Sequence, residues 1–193
     1  VGLLDSEGNR VEPNHIEELR AEYDPKLESG ELKAGDETER VVHVGGRVVF
    51  VRNTGKLCFA TLQGGTEGKR IQAMLSLAEV GEESLSEWKS LVDLGDHVFV
   101  TGRVIVSRRG ELSIMVTDWK MASKALRPMP VLHKDLNEET RVRQRYLDLM
   151  VREEARELVK KRALITRTVR RVLEDHGYIE VETPTLTRST PEG

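Results

Sequence analysis

The side chains most suited to chemistry lie on one face of a predicted β-strand, and the chemistry they suit is recognition of an unpaired nucleic-acid base. Strand alternation places Phe59 on the same face as Thr61 and Gln63, whereas the residues between them are apolar. The apolar face is expected to point into a core, so Phe59 should be exposed to water. An exposed phenyl ring can stack on a base, and polar groups beside it can bond to the base edge.

Neighbouring strands extend this polar face. Alternation places Gln72 outward in one strand, and it places Glu111 and Ser113 outward in another. Arg52 lies at the end of a third strand. The pattern alone leaves two interpretations open. Either the face binds a base, or Phe59 packs inward through a bulge and the polar residues form an ordinary solvated surface.

The segment that carries these residues is predicted to be a small β-barrel. Three alternating stretches are followed by a stretch with Leu85, Trp88, Leu91 and Val92 at helical spacing, and then by two more alternating stretches. Three strands, a helix and two strands within about 80 residues are typical of an OB-fold barrel, and another small β-barrel or an α+β sheet is the alternative. The predicted elements are strands 41–51, 56–63 and 69–76, a helix over 82–93, and strands 97–107 and 111–121.

The flanking segments predict helices and linkers. Residues 14–22 are predicted to form a short helix with Asn14 as its N-cap, and the charged segment 24–40 is predicted to be a linker. After the barrel, the chain is predicted to become helical near Asn137. The domain organisation expected from these patterns is an N-terminal helix and acidic linker (1–40), an OB-fold domain (41–123), a linker (124–152) and an α+β segment (153–193). In the last segment, an amphipathic helix over 153–177 is predicted to precede a strand that ends at Pro184.

Composition and motifs exclude several classes of protein. The single cysteine, Cys58, excludes a disulfide framework and a cysteine-rich zinc site, and it is predicted to be a small core residue. No apolar run approaches the ~20 residues that cross a bilayer, so a cytoplasmic location and no membrane partner are expected. The sequence has no phosphate-binding glycine loop and no hydrolase elbow, and its histidines lack metal-ligand spacing. We therefore assign no catalytic residue and no metal ligand.

Several long motifs resemble those of class II lysyl-tRNA synthetase in its bacterial, actinobacterial-like form. They include GKLCFATLQ, RIQAMLS, GYIEVETPTL and the run from KALRP to RQRYLDLM, and the resemblance extends from about Val41 to Leu186. It implies that the barrel is an anticodon-binding domain at the N-terminal side of such an enzyme. It also implies that residues 153–186 are motif 1, which builds the dimer interface in this family.

The resemblance assigns roles to individual residues. Phe59 corresponds to the base-stacking aromatic residue of the family, and Gln72 and Glu111 correspond to positions that contact base edges. Arg52 is the expected partner of these three residues. The implied partners of the chain are a transfer RNA, bound through its anticodon loop, and a second copy of the chain. The implied dimer-interface residues are Leu158, Ile165, Val169, Val172 and Pro184.

Two features depart from the lysyl pattern. After Pro184 the chain reads TLTRSTPEG, which is more similar to aspartyl-tRNA synthetase, so an aspartyl-type chain is one alternative. Motifs 2 and 3, which contribute to ATP binding in the family, do not occur in the 193 residues. The chain by itself is therefore expected to be inactive and to bind no cofactor, whereas a full-length parent would use ATP and Mg²⁺ to aminoacylate tRNA. The other alternative is a stand-alone, non-catalytic RNA-binding module.

Overall fold

The computed structural model describes residues 3–4, 8, 10–65, 67–130 and 136–184. The chain forms two compact units, Val1–Glu153 and Glu154–Gly193, and each is described by itself. No helix in the described part of the chain is both long and apolar enough to cross a membrane.

The first unit is built on a closed five-stranded barrel, and its strand order is that of an OB-fold, as predicted. Short strands β1 (Leu3–Leu4) and β2 (Arg10–Val11) pair with each other, and the barrel consists of β3 (Glu37–Thr54), β4 (Leu57–Gly64), β5 (Lys69–Ser76), β6 (His97–Val106) and β7 (Leu112–Ser123). The helices of this unit are α1 (Ile16–Glu28), α2 (Leu77–Val80), α3 (Glu82–Leu91), α4 (Glu138–Arg143) and α5 (Arg145–Val151). Around the barrel the order is β3, β4, β5, β7, β6 and back to β3. The β5–β7 pair is parallel and the other four pairs are antiparallel.

Strand alternation fills the barrel with small and aliphatic side chains. Cys58, Ala60 and Leu62 are fully buried, and the predicted inward residues of β5 and β7 are also buried: Ile71, Ala73, Leu75, Leu112, Ile114 and Val116. Helix α3 adds Trp88, whose ring lies 5.0 Å from that of Trp119 in an edge-to-face arrangement. Burial raises the pKa of the Cys58 thiol, so Cys58 is an inert core residue, as predicted.

Helix α1 is longer than the sequence pattern predicts, and it starts differently. The helix continues through Pro25 into the segment predicted to be a linker. Tyr23 is buried and Leu27 packs against the core, and this burial offsets the hydrogen bond lost at proline. Asn14 does not cap the helix, because both its backbone N–H and its side-chain oxygen bond to the backbone of His43, at 2.7 and 2.9 Å. The predicted linker 24–40 is therefore too long at its start, and it is also too long at its end, because β3 begins at Glu37.

A buried carboxylate fastens the loop before β6 to the segment after β7. Asp96 is fully buried, and its side chain accepts hydrogen bonds from the backbone N–H groups of Asp93 (2.8 Å) and Ala125 (2.7 Å). The ammonium group of Lys124 donates a third hydrogen bond to the Asp96 carboxylate, at 2.7 Å. The same ammonium group also donates to the backbone carbonyl of Leu91, at 2.7 Å. Burial alone would raise the pKa of Asp96, but the hydrogen bonds outweigh burial and hold this pKa below its ordinary range.

The basic segment after the barrel is organised around a second buried carboxylate. Helix α4 begins where helical structure was predicted, and the Asn137 side chain caps it by accepting a hydrogen bond from the Thr140 N–H at 2.7 Å. Asp148 of α5 is buried, so its charge requires partners close by. Three guanidinium groups lie 2.9, 3.5 and 3.8 Å from its oxygens, those of Arg152, Arg145 and Arg141.

The second unit contains nearly all of the long helix α6 (Glu153–Asp175), in agreement with the predicted amphipathic helix. Its apolar stripe is exposed along its length, at Leu158, Ile165, Val169 and Val172. The strand predicted after this helix is wrong for this structure, because residues 178–184 form neither a strand nor a helix. A strand requires a hydrogen-bonded neighbour, and none of the described segments pairs with these residues.

Candidate nucleic-acid interface

The outer face of the barrel carries a cleft of about 850 Å³ that spans β3, β4, β5 and β7. The four residues predicted to contact a base all line this cleft: Arg52, Phe59, Gln72 and Glu111. The barrel therefore gathers side chains from four separate stretches of the sequence. Other lining residues include Phe50, Thr61, Met74, Arg108, Arg109 and Met115.

The first row of side chains across this face surrounds the Phe59 ring. Arg52 of β3 is paired in register with Phe59 of β4, and its guanidinium carbon lies 4.6 Å from the centre of the phenyl ring. Phe59 is paired in turn with Met74, and Met74 with Met115. The cation–π contact and the methionine neighbour hold the half-buried ring in one orientation. The guanidinium group of Arg52 covers one face of the ring.

The second row is polar and is held by hydrogen bonds. The Gln72 side-chain N–H group donates to a Glu111 carboxylate oxygen at 3.0 Å, and the Gln72 side-chain carbonyl oxygen lies 3.1 Å from the Ser113 hydroxyl. The amide orientation is therefore set on both sides. Gln72 has a second N–H and Glu111 a second carboxylate oxygen, so the pair can offer both a donor and an acceptor to a base edge.

Ser113 lies on the predicted outer face, but it is fully buried there. It does lie in register with Gln72, yet its hydroxyl is enclosed by the contact with Gln72 and by the Glu111 carbonyl oxygen, 2.9 Å away. Ser113 therefore supports the polar row from below and does not itself face the cleft.

A β-bulge in β3 determines which of its side chains face the cleft. The pairing register between β3 and β4 shifts between Val48 and Phe50, and both Val48 and Val49 are buried. After this shift the alternation is reversed, so Phe50 and Arg52 point outward. Phe50, with 48% of its surface exposed, was missed by the sequence analysis. The available signal was its spacing of two residues from Arg52, which places both side chains on one face.

Positive charge borders the cleft at the turn between β6 and β7. Arg108 and Arg109 line the cleft and are exposed, directly before Glu111. Neither was identified from the sequence, because two arginines in a turn are most often an ordinary solvated pair. Their position at the border of the cleft suits contact with the phosphates of a bound strand, since phosphate contacts hold a nucleic acid in place while base contacts select its sequence.

The residues predicted to form a dimer interface lie in the second unit. Leu158, Ile165, Val169 and Val172 are exposed on α6, and Pro184 is exposed in the segment that follows. Their role remains a prediction from the resemblance.

Two family models match the chain. A model described as an OB-fold nucleic acid binding domain matches residues 42–122, which are the barrel. A model described as class II tRNA synthetases (D, K and N) matches residues 137–193. The predicted OB-fold, followed by the start of a class II synthetase domain, is confirmed by these matches.

The chain is also similar to curated lysine–tRNA ligases. It is 63% identical over 155 residues to that of Kineococcus radiotolerans, covering 80% of this chain and 31% of the relative. It is 56% identical over 178 residues to that of Mycolicibacterium gilvum (92% of this chain, 34% of the relative) and 41% identical over 180 residues to that of a Synechococcus strain (91% and 34%). The chain thus spans about a third of the length of these relatives.

Proposed function

We propose that this chain, which belongs to the class II lysyl-tRNA synthetase family, is the tRNA-selecting part of a lysine–tRNA ligase and binds an anticodon loop on its barrel. Because the chain spans only about a third of its relatives, the activity of the whole protein is part of the proposal. That activity is the ATP-dependent attachment of lysine to tRNA, in the cytoplasm.

The observation that carries the proposal is the ordered cleft on the outer face of the barrel. Arg52 holds the Phe59 ring ready to stack on a base, and the Gln72–Glu111 pair presents a donor and an acceptor beside it. Unpaired bases in RNA loops are recognised by this combination of stacking and edge contacts. The side chains are positioned by bonds within the chain, so little ordering is needed when a loop binds.

Lysine is preferred over aspartate because the relatives named above are all lysine–tRNA ligases. The aspartyl-like ending TRSTPEG lies outside the described residues. A stand-alone RNA-binding module is not favoured, since similarity to class II synthetases continues over residues 137–193, beyond the barrel.

The family implies ATP and Mg²⁺ for the whole protein. The described residues contain no group of three or more histidine, cysteine, aspartate or glutamate side chains that could hold a metal ion. The most buried carboxylates, Asp96 and Asp148, are already occupied by Lys124 and by arginines. We therefore assign this chain to tRNA selection and derive no step of lysine activation from it.

The Phe59→Ala substitution tests the proposed function. It is expected to weaken binding of an RNA hairpin whose loop carries a lysine anticodon by ~1–3 kcal/mol, because the stacking surface for one base is lost. Fluorescence anisotropy with a labelled hairpin measures the affinity. Val41→Ala removes an exposed side chain from β3 outside the cleft and should leave binding unchanged. Equal affinities of wild type and Phe59→Ala would refute the stacking role.

Self-association through α6 is the second expected result. The exposed stripe that includes Ile165 and Val172 would be covered by a second copy of the chain, because extended apolar surfaces of this kind usually find a partner. Wild type should therefore associate at micromolar concentration in light-scattering measurements, and the Ile165→Asp/Val172→Asp double variant should be monomeric. Arg167→Asp changes a charge on the opposite side of the helix and should still associate. Wild type that stays monomeric at ~100 μM would rule out this contact.

A further inference from the structure

We propose that Phe50 is a second base-stacking platform, so that the outer face of the barrel holds two neighbouring bases of an RNA strand, one on Phe59 and one on Phe50. The inference deepens the proposed function and depends on it. It assigns a nucleotide contact to a side chain that the similarity to known families did not single out.

The bulge in β3 is the first argument. Without the register shift between Val48 and Phe50, alternation would bury Phe50 and expose Val49. The barrel instead buries Val49 and leaves 48% of Phe50 exposed, in the cleft that also holds Phe59 and the polar row. Burying a phenylalanine ring is normally more favourable than burying a valine side chain. The bulge nevertheless buries Val49 and turns the Phe50 ring toward water. A ring that is held outward in this way is suited to a ligand.

The position of Phe50 within the cleft is the second argument. Phe50 is paired in register with Thr61, and Thr61 with Gln72, so the ring lies at the end of the polar row. Phe59 lies diagonally across from it, and diagonal neighbours of adjacent strands are about 7–8 Å apart. Neighbouring nucleotides of an unstacked strand can span this distance. Since Arg52 already covers one face of the Phe59 ring, the two phenyl rings provide separate platforms.

The chemistry around Phe50 favours a nucleic acid over a peptide or a second copy of the chain. Arg108 and Arg109 supply positive charge at the border of the same cleft, where the backbone of a strand would lie. Gln72, two strands away from Phe50 along the polar row, offers a donor, and its partner Glu111 offers an acceptor. Stacking, edge contacts and phosphate contacts occur together on surfaces that bind single-stranded nucleic acids.

The test uses the whole chain and the same anticodon hairpin, with a single abasic nucleotide placed in turn at each anticodon position. Phe50→Leu keeps an apolar side chain but removes the ring, and it is expected to weaken binding of the intact hairpin about tenfold. Phe50→Tyr keeps the ring and should bind like wild type. For one abasic position, wild type should bind the abasic hairpin about tenfold more weakly than the intact hairpin. Phe50→Leu should bind that abasic hairpin and the intact hairpin equally well, because the base that stacks on the ring no longer contributes.

The corresponding series with Phe59→Leu separates the possible outcomes. The proposal requires Phe59 to be coupled to the neighbouring nucleotide, so coupling of both rings to the same nucleotide would overturn it. Phe50→Leu binding as tightly as wild type would also overturn it while leaving the proposed function intact, provided that Phe59→Leu is weakened. If wild type binds no hairpin, both proposals fail. If Phe50→Leu changes only self-association in light scattering, the ring is a contact between copies of the chain.

Discussion

Replacing Asp96 with alanine is expected to lower the free energy of unfolding of the barrel by about 3 kcal/mol, since each hydrogen bond to a charged group contributes about 1.5–3 kcal/mol. The substitution removes the fully buried carboxylate that accepts from the backbone N–H groups of Asp93, before β6, and Ala125, after β7. Urea unfolding followed by tryptophan fluorescence measures the change. Trp88 and Trp119 are the only two tryptophans, and both belong to the barrel unit, so the signal reports this unit alone.

The matched control is Asp93→Asn. Asp93 also contacts Lys124, but its side chain is 74% exposed, so the substitution should cost less than about 1 kcal/mol. A difference of less than about 1 kcal/mol between wild type and Asp96→Ala would contradict the anchoring role of this carboxylate.

The depressed pKa of Asp96 gives this contribution a defined dependence on pH. A carboxyl group whose pKa is lower in the folded than in the unfolded state stabilises the fold above its unfolded value of about 4. The contribution is lost as the pH falls through the folded-state pKa. The stability difference between wild type and Asp96→Asn should therefore be largest above about pH 4 and shrink in stronger acid.

Gly102→Ala is expected to destabilise the barrel by about 3 kcal/mol, the upper end of the usual range for overpacking. A Cβ atom on Gly102 would lie 2.0 Å from the Met115 carbonyl oxygen and 2.9 Å from the Val116 Cα, which are backbone atoms of the paired strand. Backbone cannot move aside as the tip of a side chain can, so β6 and β7 would have to separate. The melting temperature followed by tryptophan fluorescence should fall by roughly 6–12 °C.

Gly64→Ala provides the control for a glycine within a barrel strand. Its added Cβ would meet the tip of the Ile16 side chain at 3.0 Å, so this tip needs to shift by only a few tenths of an ångström. We expect a change in melting temperature within about 3 °C for this variant. Comparable losses at the two positions would mean that the close approach at Gly102 is not the cause of the effect.

The direction of a side chain could be predicted from the sequence wherever a strand alternates regularly. Cys58 points inward, and Phe59 and Gln72 point outward, because a regular strand has a period of two. Arg52 and Phe50 could not be oriented in this way. The bulge between Val48 and Phe50 reverses the alternation, and nothing in a run of valines marks where an extra residue is inserted.

Features that depend on contacts between residues far apart in the sequence could not be predicted from local patterns either. Asn14 has the side chain and spacing of a helix cap, yet it bonds to His43, which is far away in the sequence. Pro25 normally marks the end of a helix, but α1 continues, and Leu27 beyond it packs against the core. Ser113 lies on the predicted outer face but is buried, since alternation gives the direction of a side chain and not what covers it.

Closure of the barrel limits how any partner can be recognised there. An open sheet displays unpaired N–H and C=O groups along its edge, and an extended peptide can bind by joining the sheet as one more strand. Each barrel strand here has neighbours on both sides, so few backbone N–H and C=O groups are left unpaired for an added strand. Selectivity must therefore reside in side chains that project from the wall. Substitutions at those positions can change which nucleotides are accepted while the hydrogen-bonded wall beneath them stays the same.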